Sequence, residues 1–119
     1  MKVTIQAHSS SGGSYQVEFS DESGHLRVFC HCPAGVLQQM CKHKMALIKG
    51  DRRMLHDPSE ERLLLQVLGS PAYVGLPPRI AAYEQALLAL EREVDKLKAR
   101  EKELKRDFAH ELTFGGRKD

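Results

Sequence analysis

Over the first thirty residues, apolar side chains recur at every second position. Val3, Ile5 and Ala7 form one run, Tyr15, Val17 and Phe19 a second, and Leu26, Val28 and Cys30 a third. A period of two puts alternate side chains on one face of a strand. Residues 9–14, with Gly12-Gly13, and residues 21–24 (Asp-Glu-Ser-Gly) carry turn chemistry between the runs. The pattern predicts a three-stranded antiparallel meander. Pro33-Ala34-Gly35 breaks its third strand, and beyond Cys41 the period changes. Met45, Leu47 and Ile48 suit a short helix that stops near Gly50, a residue suited to the left-handed position after a helix.

Two more helices follow. Asp57-Pro58-Ser59-Glu60 offers a capping Asp, Pro at the first helical position and Glu two positions later, close to a capping box. Leu63, Leu64, Val67 and Leu68 form the apolar stripe of that helix, and Gly69-Ser70-Pro71 ends it. Residues 69–78 (GSPAYVGLPP) read as a semi-rigid connector. Residues 79–112 contain no Gly or Pro and fit a heptad repeat. Ile80, Leu87, Val94, Glu101 and Phe108 fall at a, and Tyr83, Leu90, Leu97, Leu104 and Glu111 at d. Such a helix spans about 50 Å at 1.5 Å per residue, too long for a fifty-residue module to cover. Its seam (Ile80, Tyr83, Leu87, Leu90, Val94, Leu97, Leu104, Phe108) therefore predicts pairing with another helix. The division is a module over 1–50, a short helix and connector over 51–78, a coiled-coil helix over 79–112 and a flexible tail over 113–119.

The chemistry is concentrated in the strand-to-helix segment. Cys30 and Cys32, an eight-residue gap, then Cys41 and His43 place four ligand-type residues within fourteen positions, and the chain has no other cysteine. Three thiols cannot form a disulfide framework without leaving one over, and a Cys30–Cys32 bridge would close a strained loop. Three thiolates and an imidazole suit one Zn²⁺ per chain, held in a closed tetrahedron. A small core stapled by a metal is a common solution at this size. His31, between two ligands, is expected to point outward. Cys41 lies at a helix start beside Lys42 and Lys44, which would lower a thiol's pKa, but ligation would occupy that thiolate.

The ligand order C-x-C…C-x-H resembles the SWIM-type zinc finger. The resemblance covers residues 14–49: the aromatic strand Tyr15-Gln16-Val17-Glu18-Phe19, Pro33 after the second Cys, and the helix that begins at Cys41-Lys42-His43. It implies a strand–strand–helix scaffold with Cys30, Cys32, Cys41 and His43 as ligands, and an interaction module for protein or nucleic acid. The enzymatic domains that accompany such modules elsewhere have no room in this chain.

Charge excludes little. The net is +2, with five basic and three acidic residues over 1–50, three and four over 51–78, and ten and nine over 79–119. Arg27, Lys42, Lys44, Lys49, Arg52 and Arg53 could form a modest phosphate-binding patch around the metal helix, diluted by Asp51 and Asp57. The N-terminus lacks the apolar run of a signal peptide, and no apolar stretch approaches the ~20 residues of a membrane span. A cytoplasmic, reducing setting with no membrane is the expectation. No Gly-rich phosphate loop, paired acids or nucleophile elbow points to catalysis.

The charges beside the seam choose an orientation. With Glu84, Glu91, Lys98 and Lys105 at e, and Glu93 and Arg100 at g, an antiparallel homodimer makes six attractive pairs. A parallel one pairs Glu93 with Lys98 but sets Arg100 against Lys105, a near-neutral balance, and Glu101 against itself. The difference is about 2–3 kcal/mol. Taken together, the residues predict an α+β fold: a small three-stranded sheet and helix stapled by zinc, then a short helix and a long coiled-coil helix. The functional expectation is a non-enzymatic adaptor that dimerises through its helix and binds a protein partner. The alternative is a nucleic-acid-binding accessory protein.

Overall fold

The computed structural model describes residues 1–115 of the chain. It separates into two compact units, 1–78 and 79–119. The first is an α+β module. Strands β1 (Lys2–His8), β2 (Ser14–Glu22) and β3 (His25–Cys30) form one antiparallel sheet in the order β1-β2-β3. The register follows the alternation of the sequence. Ile5 faces Val17, Val3 faces Phe19, Phe19 faces Val28 and Val17 faces Cys30, so one face collects the apolar side chains. The β2–β3 turn consists of Ser23 and Gly24 alone, both at positive φ (54° and 79°), as a two-residue hairpin with right-handed strand twist requires.

Two helices cover the apolar face. Helix α2 (Lys42–Ile48) packs against β3 and α3 (Glu61–Leu68) against β1. The core is Val3, Ile5, Ala7, Val17, Phe19, Cys30, Leu47, Ile48, Leu55, Leu64 and Val67. At the end of α2, Gly50 (φ 79°) and Asp51 donate to the carbonyls of Leu47 and Ala46; these paired bonds satisfy its last turn. The Tyr73 hydroxyl donates to the Ile48 carbonyl at 2.6 Å, which ties the 3₁₀ turn Pro71–Tyr73 to the same helix end. Residues 51–78 therefore belong to the first compact unit: Leu64 and Val67 complete its core.

Three local expectations change. A one-turn helix, α1 (Pro33–Val36), follows the break after β3. Asp57 caps a 3₁₀ turn, Pro58–Glu60, by accepting from Ser59 N at 3.0 Å, and not α3 itself. The capping-box reading also fails at Glu60. Its carboxylate accepts from the backbone N–H of Gln6 at 2.9 Å, because an unpaired donor on the edge strand lies within its reach.

Helix α4 runs Leu76–Phe114, three residues earlier than the Gly/Pro-free stretch. Pro77 and Pro78 fit its first turn, where no intrahelical N–H bond is lost. Of the expected flexible tail, Thr113 and Phe114 are helical, Gly115 is a turn, and 116–119 lie outside the described residues. No described helix is long and apolar enough to cross a membrane.

Candidate metal centre

Three separate elements bring together the four ligand-type residues. Cys30 is the last residue of β3, fully buried opposite Val17. Cys32 is the N-cap of α1, and its Sγ accepts from Gly35 N at 3.2 Å. Cys41 is the N-cap of α2, and its Sγ accepts from Lys44 N at 3.4 Å. His43, 5% exposed, lies in the first turn of α2. The four ligand atoms all fall within 4.8 Å of one another.

Gly35 makes this convergence possible. A Cβ there would overlap the carbonyl oxygen of Cys30 and lie 2.7 Å from its carbonyl carbon. Only a residue without a side chain lets α1 press against the end of β3, and that approach brings Cys32 back beside Cys30.

The donor set fits a metal ion. His43 Nδ1 faces Cys30 Sγ at 3.8 Å, close to the roughly 3.5 Å edge of a tetrahedral S/N site with ordinary zinc bond lengths. Nε2 is buried with no hydrogen-bond partner among the described residues. An ion on Nδ1 would occupy the ring lone pair that faces the sulfurs and leave the imidazole proton on Nε2. Tyr15, half-buried, covers the ring at 5.3 Å between centroids.

The electrostatics point the same way. Burial pushes the Cys30 thiol up to about 12, and the neighbouring Cys32 and Cys41 sulfurs add to the rise. At Cys32 burial also acts upward, but the Gly35 N–H and the adjacent sulfurs outweigh it and the thiol is lowered. Burial, then the charge of Lys42, lowers the His43 imidazole, a shift toward the neutral form that ligates. Three thiolates, a neutral imidazole and a divalent ion carry a net charge of −1, and the N–H groups of Gly35 and Lys44 point at that charge. A groove of about 580 Å³ lined by Ser9, Tyr15, Cys32, Cys41, Lys42 and His43 opens onto the cluster.

The remaining sequence candidates lie elsewhere. His31 is exposed, 3.1 Å from the Glu18 carboxylate and edge-on to Phe29, outside the cluster. Among the candidate phosphate-binding cations, Arg27 is engaged by Glu22 at 2.8 Å, Arg52 by Glu61 at 3.0 Å and Arg53 by Asp51 at 3.0 Å. Lys42 and Lys49 are exposed and Lys44 is half-buried, all on or at the end of α2. On α4 the seam residues Tyr83, Leu87, Leu90, Val94, Leu97, Leu104 and Phe108 are exposed, and Ile80 is buried.

Sequence reasoning missed two residues at the centre. Gly35 read as a strand breaker, and its position three residues after Cys32, where an N-cap sulfur finds its N–H, was the available signal. Tyr15 read only as a strand residue, although its alternation with Val17 puts it on the Cys30 face. Comparison with protein-family models, with curated proteins and with solved structures finds no match to this chain.

Proposed function

We propose that this protein is a non-enzymatic, zinc-built interaction module joined to a pairing helix, an adaptor that presents the module to a protein partner. The observation that carries the reading is the convergence of Cys30, Cys32, Cys41 and His43 from three elements. Four protein ligands leave zinc no open position for substrate, which is the arrangement of a structural site. The ion would tie the end of β3 to the starts of α1 and α2, a junction that this small core alone braces weakly. The ligand pattern's resemblance to SWIM-type fingers supports an interaction role.

Two features favour a protein partner over nucleic acid. The loop between the ligand pairs exposes Val36, Leu37 and Met40, a surface suited to apolar contact. Arg27, Arg52 and Arg53 already have carboxylate partners, which lowers the local potential a phosphate would meet. Helix α4, with its exposed seam, would set the number of modules per assembly and so their avidity.

The test combines photo-cross-linking in native extract, from a diazirine amino acid placed at position 36, 37 or 40, with a nucleic-acid shift assay. The adaptor reading predicts protein cross-links from these positions that disappear when zinc is chelated, and no shift of labelled DNA or RNA. A salt-sensitive shift abolished by removing the charges of Lys42, Lys44 and Arg52 would establish the nucleic-acid alternative instead.

A further inference from the structure

The open seam of α4 is its own complement when the helix is turned end for end. Because Ile80 is buried, the exposed seam begins at Tyr83 and ends at Phe108, with its apolar members between 41% (Tyr83) and 67% (Leu97) exposed. Tyr83 and Phe108 are equally far from the point between Asp95 and Lys96. About that point Leu87 mirrors Leu104, Val94 mirrors Leu97 and Leu90 mirrors Glu101. The burial of Ile80 also removes one poor match of this register, an isoleucine against Glu111, and leaves Leu90 against Glu101 as the other.

The flanking charges obey the same symmetry. With the helices antiparallel, Glu91 meets Lys98 of the second copy, Glu84 meets Lys105, and Glu93 meets Arg100. Each pair occurs twice. All six residues are exposed. Glu101, the polar seam residue between these flanks, has its carboxylate drawn to Lys105 at 2.7 Å, one turn on. Its methylenes are left to face Leu90. The parallel pairing would align Glu101 with its own copy and Arg100 with Lys105, and it gains nothing from the mirror order of the seam.

From the mirror symmetry and the charge pattern we infer that α4 binds a second copy of this chain as an antiparallel coiled coil crossing between Asp95 and Lys96. The inference rests on the reading of α4 as a pairing helix and specifies its occupant. The two metal modules then enter the pair from opposite ends, so a bivalent partner would have to bridge the length of the coil.

A charge-swap experiment on the full, zinc-loaded chain tests it, with self-association read by sedimentation equilibrium. Lys98→Glu with Lys105→Glu makes every e position acidic, and Glu84→Lys with Glu91→Lys makes every e position basic. Each double variant alone should self-associate roughly 100-fold more weakly than the natural chain, since four attractive pairs become repulsive. Mixed one to one, the two variants should recover most of the lost affinity, short only of the Glu101–Lys105 pair that Lys105→Glu removes, because e meets e only in the antiparallel pair. A dimer indifferent to the swaps, or a mixture that fails to recover, overturns the antiparallel register while leaving a pairing helix in place. A natural chain that stays monomeric overturns the pairing reading itself. Metal content, measured on each variant, confirms that the modules stay folded.

Discussion

Gly35 rests directly against the backbone of Cys30, with no space for a Cβ between them. That contact makes the C-x-C pair a usable half of a metal site, since α1 must reach the strand end before Cys32 can turn back to Cys30. Gly35→Ala should therefore act as a metal-site lesion although Gly35 offers no ligand. We expect zinc affinity to fall by at least 10-fold, in the range seen when groups that support metal ligands are lost, measured by competition with a chromophoric chelator. An alanine variant with unchanged affinity would show that the contact is dispensable.

Glu60 braces α3 to the edge of the sheet through its bond to Gln6 N. A carboxylate accepting from a part-buried backbone N–H forms a charge-assisted bond, and its loss strands the donor. Glu60→Ala should cost about 1–2 kcal/mol of stability, read from urea unfolding of the zinc-loaded chain. A capping role within 57–60 predicts a different partner dependence: Asp57→Ala would then match Glu60→Ala, whereas a sheet brace makes the Glu60 change independent of Asp57.

Gln38 adopts a left-handed conformation (φ 60°) just after α1, where a side chain costs energy that glycine does not. Gln38→Gly should stabilise the metal-loaded module, by up to about 1 kcal/mol. Thermal unfolding checks the direction; a lower midpoint would mean that the Gln38 side chain contributes more than its backbone strain costs.

The pH dependence of stability should differ between the metal-free and metal-loaded forms. Without metal, the folded Cys30 thiol is pushed up to about 12 from an ordinary 9.0. Its stabilising preference for the protonated form is present below pH 9 and is lost as pH rises from 9 toward 12. His43 is lowered from its ordinary 6.5, so below 6.5 the unfolded chain takes up a proton that the folded chain resists, and stability falls with pH. Metal reverses the cysteine contribution, because it holds thiolates: the loaded form should keep its stability in alkali and lose metal and fold together in acid. Unfolding midpoints of both forms from about pH 5 to about pH 11 would reveal the crossing; parallel profiles would exclude metal ligation by Cys30.

Much of this was legible in the residues. The period-2 runs place Val3, Ile5, Val17, Phe19 and Cys30 on the covered face of a three-stranded sheet, because one-sided burial leaves no alternative register. The cluster of Cys30, Cys32, Cys41 and His43 was legible because cysteine spacing is a chemical signal in its own right. What escaped were contacts between distant segments. The pattern at 57–60 is equally good for a local cap and for a brace across the sheet, and only the tertiary arrangement puts Gln6 N within reach of Glu60. The early start of α4 at Leu76 was hidden by Pro77-Pro78, which mark a boundary in sequence but are tolerated inside a first turn. Helix α1 is a single turn held by a sulfur cap, too short for periodicity to register.

Three thiolates and one imidazole closing around a single zinc would build the module, and native mass spectrometry of the purified chain, before and after chelation, reads this out most directly. We expect one zinc per chain, lost together with the compact charge-state distribution of the module when Cys41→Ser or a chelator removes the ion. A folded chain that carries no metal in the presence of excess zinc would contradict it.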